Sequence, residues 1–514
     1  MDNANPSTLA SAPAAEAPKP RLKAIDRQPM RLHPVEVERL VEPDHPVRAI
    51  WELIGRRDLA GFVAPIKAVD GVAGREAIDP QLLISLWVWA YSEGVSSARE
   101  MERRCRYHPV YQWLTGLEVI NYHTLSDFRT QHQEALRQLF VEVLGVLDQA
   151  GLVSLGPVMH DGMKVKANAA DNSFRREGTL QQHLEVARQR VEQMEREAGQ
   201  SEDVTPRQQA ARLRAGREKR QRLEQALEEL QQIEAHSKDP DQARASQTDP
   251  QARIMQQAQG ACGPAYNVQI STDGQETIIV AVGLSQCSSD AGELEPAVER
   301  VEANLKRPVE GMVVDAGFTN QATIEAMAER ETPLIGSLAD PEARVERSLK
   351  NCGVAEAFYP KAFVYDASQN RYTCPAGKTL RYQDREKQGA SIRYRYRAAK
   401  ADCQACPLKA QCCPHTSKGR AIGRVEDSQA VAAFKQKMAT PEAQQTYKQR
   451  ARVAEFPNAW IKAKIGLRQF RLRGLVKVGM EALWACLTYN IQQWIRLRWR
   501  PQRQAAGLVA ARAA

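Results

Sequence analysis

The chain has 514 residues, too many for one ordinary core, so length alone points to roughly three structural units or one core with large insertions. Lys and Arg number 71 against 62 Asp and Glu, and the net charge of +9 favours polyanionic partners without identifying one. The longest apolar run, Leu82 to Tyr91, is about half of the roughly 20 residues a membrane helix needs, and ten cysteines in such a chain argue against a disulfide framework.

Residues 1–26, rich in Ala and Pro and lacking an apolar h-region, read as a disordered leader, so a soluble, cytoplasmic protein is expected. Residues 27–150 read as a helical domain, with helical spacing of apolar residues in HPVRAIWELIGRRDL, DPQLLISLWVWAYSEG and TLSDFRTQHQEALRQLFVEVLGVLDQAG. In the last segment Leu125, Phe128, His132, Leu136, Leu139, Val143 and Leu147 form one stripe. Thr124 with Asp127 resembles a capping box there, and the opposite face offers Arg129, Gln133 and Arg137. Together with SSAREMERRCRYHPVYQWL, this suits a helix-turn-helix reader whose Arg129 and Arg137 meet DNA. A plain helical bundle with a solvated basic face accounts for the same residues.

Residues 151–343 change to strand texture. VSLGPVMHDGMKVKANA reads as two strands joined at Asp161-Gly162. An insertion, 178–237, then keeps a heptad-like spacing in Leu180, Leu184, Ala187, Val191 and Met194, breaks at GQSEDVTP, and resumes in Leu223, Ala226, Leu230 and Ile233. An antiparallel helical hairpin acting as a passive spacer is expected. AYNVQISTDGQETIIVAVGL carries a hairpin signal at Asp273-Gly274, VEGMVVDAG ends a strand at Asp315, and NQATIEAMAER is helical. That order indicates a mixed α/β sheet. Residues 344–424 form a second insertion holding six of the ten cysteines. Residues 425–503 are helical and basic: from Trp460 to Arg503, ten Lys or Arg stand against the single acid Glu481. Residues 504–514 read as a disordered tail.

Asp161 and Asp315 share a local logic, each closing an apolar strand and meeting Gly at once or one residue later. Turn chemistry explains either alone. Paired with a third acid on a helix, they suit two Mg²⁺ or Mn²⁺ ions, because hard cations seek carboxylate oxygens. Candidates for that acid are Glu442, Glu455 and Glu481, of which Glu455 alone lies between Arg450 and Lys462. His160 reads as a packed neighbour.

In TYKQRARVAEFPNAWIKAKIGLRQFRLRG, the residues Tyr447, Arg450, Glu455 and Lys462 resemble the signature of the insertion-sequence DDE transposases with a ribonuclease-H-like core, notably the branch numbered eleven-eighty-two. The Arg-to-Glu spacing is one residue longer than that signature, and Arg452 can replace Arg450. The resemblance extends to HDGMKVKANA, YNVQISTDG, VVDAGFTN and the RLRGLVKVGMEALWACLTYNIQQW tail, from about residue 30 to residue 495. It implies metal ligation by Asp161, Asp315 and Glu455, DNA contacts by Tyr447, Arg450 and Lys462, and cleavage at element ends followed by strand transfer into target DNA. A homodimer pairing two terminal repeats is likewise implied. A catalytically inactive DNA-binding relic and a metal-dependent nuclease without strand transfer remain as alternatives. Glu455 and Lys462, seven apart, share a face of a continuous helix, unless Pro457 begins one.

Cys374, Cys403, Cys406 and Cys412, with Cys413 adjacent, lie within forty residues. Cys403 and Cys406 have the spacing of a zinc clip, which Cys374 with Cys412 or Cys413 completes; reduced free thiols and a redox role are the other readings.

Overall fold

The computed structural model describes residues 34–68, 76–154, 156–197, 205–237, 239–257, 260–338, 341–388 and 391–505. The leader, nearly all of the tail and most of the GQSEDVTP break lie outside these.

Helices open the chain as its caps direct. α1 (Pro46–Gly55) starts where His45 Nδ1 accepts the Val47 N–H, and α2 (Pro80–Ser92) where Asp79 accepts the Gln81 N–H, each with Pro in the first turn. The stripe expected to be one helix is two, α3 (Tyr122–Gln131) and α4 (Gln133–Gln149). The break is at His132, whose backbone leaves helical geometry while its ring packs against Phe62 and Phe128. Asn121, rather than the expected Thr124 box, caps α3 by accepting the His123 N–H at 2.8 Å.

The central sheet is mixed. β1 (Val158–Lys166) lies between β3 (Cys262–Thr272), antiparallel to it, and the short parallel strand β5 (Met312–Val313), in the order β2-β3-β1-β5-β6. β2 is Arg253–Gln256, β6 is Leu334–Ile335, and β4 (Ile279–Ser285) pairs with β3 through the hairpin expected at Asp273. Asp273 fixes that turn by accepting the N–H groups of Gln275 and Glu276. This is the ribonuclease-H-like α/β arrangement expected.

One expectation fails here. Asp161-Gly162 joins no hairpin; β1 runs through both residues without a break, paired with β3 from Met159 to Lys166.

The inserted hairpin consists of α5 (Glu177–Arg196) and α6 (Pro206–His236), with Leu180, Leu184, Ala187, Leu223, Ala226 and Leu230 buried between them. Arg217–Glu195 and Arg188–Glu224 contacts set an antiparallel register. In the sheet domain, α7 (Leu294–Leu305) and α8 (Gln321–Glu329) flank the strands. The cysteine-rich insertion is built on an antiparallel five-stranded sheet around Phe363, Leu380, Tyr396 and Ile422.

After α9 (Pro441–Ala463), α10 (Leu475–Trp494) runs through the interior of the molecule. Its Asn490 pairs through both side-chain atoms with the backbone of Ile279 in β4, and Trp484 Nε1 donates to the Arg129 carbonyl of α3. One hydrophobic core therefore joins Trp87 and Leu136 of the amino-terminal helices, Trp484 of α10 and Val268 of the sheet. The basic stretch is thus in part a deeply buried helix, with every cation but Lys477 before or after that span.

Candidate active site

β1 and β5 bring the two aspartates together. Their parallel register, Met159 opposite Val313, continues toward Asp161 and Asp315, placing both on the face against which α9 packs. Met159 and Val313 bury with Val453 and Ala454 of α9, and Tyr447 packs on this cluster. On α9, Tyr447, Arg450, Asn458 and Lys462 recur at helical spacing, so the helix that closes the apolar contact also presents polar groups to Asp161. Asn458 Nδ2 donates to Asp161 Oδ2 at 2.9 Å, and the Gly162 N–H donates to the other oxygen at 3.0 Å. The Gly317 N–H holds Asp315 Oδ1 at 2.7 Å.

Burial, first, pushes the Asp161 carboxyl up to about 6; Arg450 opposes this, while the negative charges of Asp315 and Asp290 add to it. Burial likewise lowers Lys462, with Asp161 acting the other way. Desolvation dominates, so Asp161 is a carboxyl held largely out of water, with Arg450 the strongest charge acting on it. Hard oxygen donors in that state suit a divalent cation, and the neutral Asn458 amide is the group that occupies Asp161 here. As they stand, among the described residues no three His, Cys, Asp or Glu side chains are gathered closely enough to hold an ion.

Glu455 is exposed on α9, one turn before Asn458. Pro457 lies inside the continuous helix instead of beginning it, so Glu455 and Lys462 stay on one helix, two turns apart. Of its rivals, Glu442 is exposed in the first turn of α9, more than four turns of helix before the Asn458 that meets Asp161. Glu481 is fully buried, and its carboxylate accepts the backbone N–H groups of Arg471 and Leu472 at 3.0–3.1 Å, fastening the loop before α10. That is a structural task. His160 is buried with Nδ1 on Ser271 and Nε2 on Gln269, both ring nitrogens taken, and burial pushes its pKa down to about 4.

The proposed DNA contacts of α3 and α4 separate. Arg129 is only 4% exposed, bonded to the Ser96 carbonyl at 2.9 Å and stacked 4.6 Å from the Trp87 ring, so it faces no solvent and the expected basic face loses it. Arg137 is exposed and lines a cleft of about 580 Å³ together with Arg300 and Val476.

Cys374, Cys403, Cys406, Cys412 and Cys413 all line one small cavity of about 20 Å³, without three of them standing close enough to hold an ion. Cys374 Sγ accepts the Lys378 N–H and Cys403 Sγ the Arg420 N–H, each at 3.3 Å. Burial pushes Cys412 up to about 12.

Two residues near the acids escaped the sequence reading. Asn458 had a signal, since it lies four residues before Lys462 and eight after Arg450 on one helical face. Asp290, in SQCSSDAGELEP, follows no apolar run at once and reads as an ordinary helix approach.

Two family models match the chain: residues 373–495 match one described as Transposase DDE domain, and residues 35–131 one described as Transposase domain (DUF772). Both models describe transposase domains, so the chain is similar over these two segments to the insertion-sequence DDE transposases. The DDE match takes in Glu455, Lys462, the five clustered cysteines and α10, while Asp161, Asp290 and Asp315 fall between the two matches. No curated protein matches the chain. Among the described residues, no helix is long and apolar enough to cross a membrane.

Proposed function

We propose that the chain is an active transposase of the eleven-eighty-two branch, cutting DNA at the terminal repeats of its element and joining the freed 3′ hydroxyls to target DNA in the cytoplasm, as a homodimer that pairs two ends. The observation that carries this reading is the placement of Asp161 and Asp315 side by side on β1 and beyond β5, under a helix that offers Arg450 and Lys462. Asp161 and Asp315, with Glu455 as third acid, would hold Mg²⁺ or Mn²⁺. When bound, two such ions supply an activated nucleophile and a stabilised leaving oxygen.

The chain's own residues do the rest. Asn458 and the Gly162 N–H orient the two oxygens of Asp161. Arg450 and Lys462 meet the phosphodiester with positive charge that half-burial leaves poorly screened by water. Tyr447 braces α9 against β1 and lies on the same face for a DNA contact. Arg137 adds a phosphate contact away from the acids. Incubation of the purified chain with a duplex carrying one element end, Mg²⁺ and target plasmid tests this: cleavage with joining supports it, cleavage alone makes the chain a nuclease, and binding alone makes it a relic.

We further propose that Cys374, Cys403, Cys406 and Cys412 hold one structural Zn²⁺. Two of these sulfurs already accept backbone N–H groups, the outer-shell bonds that orient thiolate ligands, and all four face one cavity.

A further inference from the structure

Asp290 lies between β4 and α7 and reaches the acids from the face of β1 that carries Gly162. Gly162 pairs with Gln269 and Lys164 with Asn267, so these residues share that face. Asp290 Oδ1 accepts hydrogen bonds from Asn267 Nδ2 at 2.7 Å and Gln269 Nε2 at 3.1 Å. Two glycines leave it room. A Cβ at Gly162 would lie 2.5 Å from Asp290 Oδ1, so any other residue would displace the carboxylate. A Cβ at Gly317 would lie 3.0 Å from Asp315 Oδ1 and 3.5 Å from Asp290 Oδ2, so Gly317 lets the two carboxylates approach each other from either side of it.

A second observation is independent of the acids. Asn267 is fully buried, yet its Oδ1 has no hydrogen-bond donor, and it too faces the Gly162 gap, 3.0 Å from the position a Cβ would take. A buried acceptor left without a donor is costly, and beside a carboxylate it is the group that a cation satisfies.

We propose that Asp290 is a fourth carboxylate of the acidic site, joining Asp161 and Asp315 in holding a hard divalent cation, with Asn267 Oδ1 as a neutral oxygen beside it. This rests on the reading of Asp161 and Asp315 as metal acids. Mg²⁺ keeps several waters and takes one or two carboxylates at a time, so acids gathered from two faces of one strand need not close into a cage.

The test uses Mn²⁺ alone as probe, with the full chain and no DNA, following free Mn²⁺ by electron paramagnetic resonance. Asp290→Asn keeps an acceptor for Asn267 and Gln269 and removes the charge, so a merely structural Asp290 would leave binding unchanged. The expected result is a loss of at least about tenfold in Mn²⁺ affinity, alongside a similar loss in Asp161→Asn. Fe²⁺ with ascorbate and peroxide, applied to the unaltered chain, should cut the backbone near Asp161, Asp290 and Asp315, and this arm needs no variant to fold. Unchanged Mn²⁺ affinity in Asp290→Asn, or cuts near Asp161 and Asp315 without one near Asp290, overturns the role of Asp290 alone. Unchanged affinity in Asp161→Asn as well overturns the underlying reading and this proposal with it.

Discussion

Asn458, on α9, donates a hydrogen bond at 2.9 Å to Asp161, on β1, across 297 residues of sequence. Its own Oδ1 is buried without a partner, so the amide has one orientation that serves the acid. Asn458→Ala should therefore lower the single-turnover cleavage rate about tenfold, the worth of one hydrogen bond to a charged group, with little change in melting temperature. A rate equal to the unaltered chain's would show that Asp161 needs no such support.

Arg129 carries its charge inside the helical region, against Trp87, Tyr91 and Ser96. Arg129→Ala should cost about 3 kcal/mol of stability in urea unfolding, because it leaves buried polar partners unmet. The salt dependence of DNA binding should not change. Arg137→Ala should do the reverse, leaving stability alone and reducing the slope of log affinity against log salt by about 0.9. A change of slope in Arg129→Ala would restore it as a DNA contact.

How far these sites can be read in the sequence depends on whether the deciding contact is local. The hairpin of α5 and α6 was legible because its own leucines cover each other, and Asp315 because an apolar strand runs into it. Asp161-Gly162 misleads: the pair looks like a turn, but Gly162 is glycine to leave space for Asp290, which comes from another loop. Arg129 and Glu481 look like surface charges, and only packing against distant elements shows that each is buried and bonded. The helix break at His132 likewise depends on Phe62, far away in sequence.

Glu481 offers a pH test of that structural role. Burial raises its pKa, with Arg129 and the Arg471 and Leu472 N–H groups acting the other way. A carboxyl raised on folding contributes most below its unfolded value, and that contribution is lost as pH rises through the folded value. The stability of the unaltered chain should accordingly fall relative to Glu481→Gln as pH rises from about 4 through the raised value. Parallel curves from urea unfolding at several pH values would contradict this.

For the cysteine cavity, the chain purified without chelator should carry about one zinc, and Cys403→Ser or Cys406→Ser should lose it together with thermal stability. Metal analysis showing none would leave the cysteines as reduced thiols.

The most direct test of the account is single-turnover cleavage and joining of an end-bearing duplex with Mg²⁺ by Asp161→Asn, Asp315→Asn and Glu455→Gln, beside gel-shift binding of the same duplex. The account predicts a loss of at least about a hundredfold in cleavage for each, with end binding nearly intact, since metal acids act on the chemistry while basic residues dominate affinity. Cutting at the unaltered rate by Asp161→Asn or Asp315→Asn would contradict it, and the same result for Glu455→Gln alone would leave two acids standing with the third misplaced.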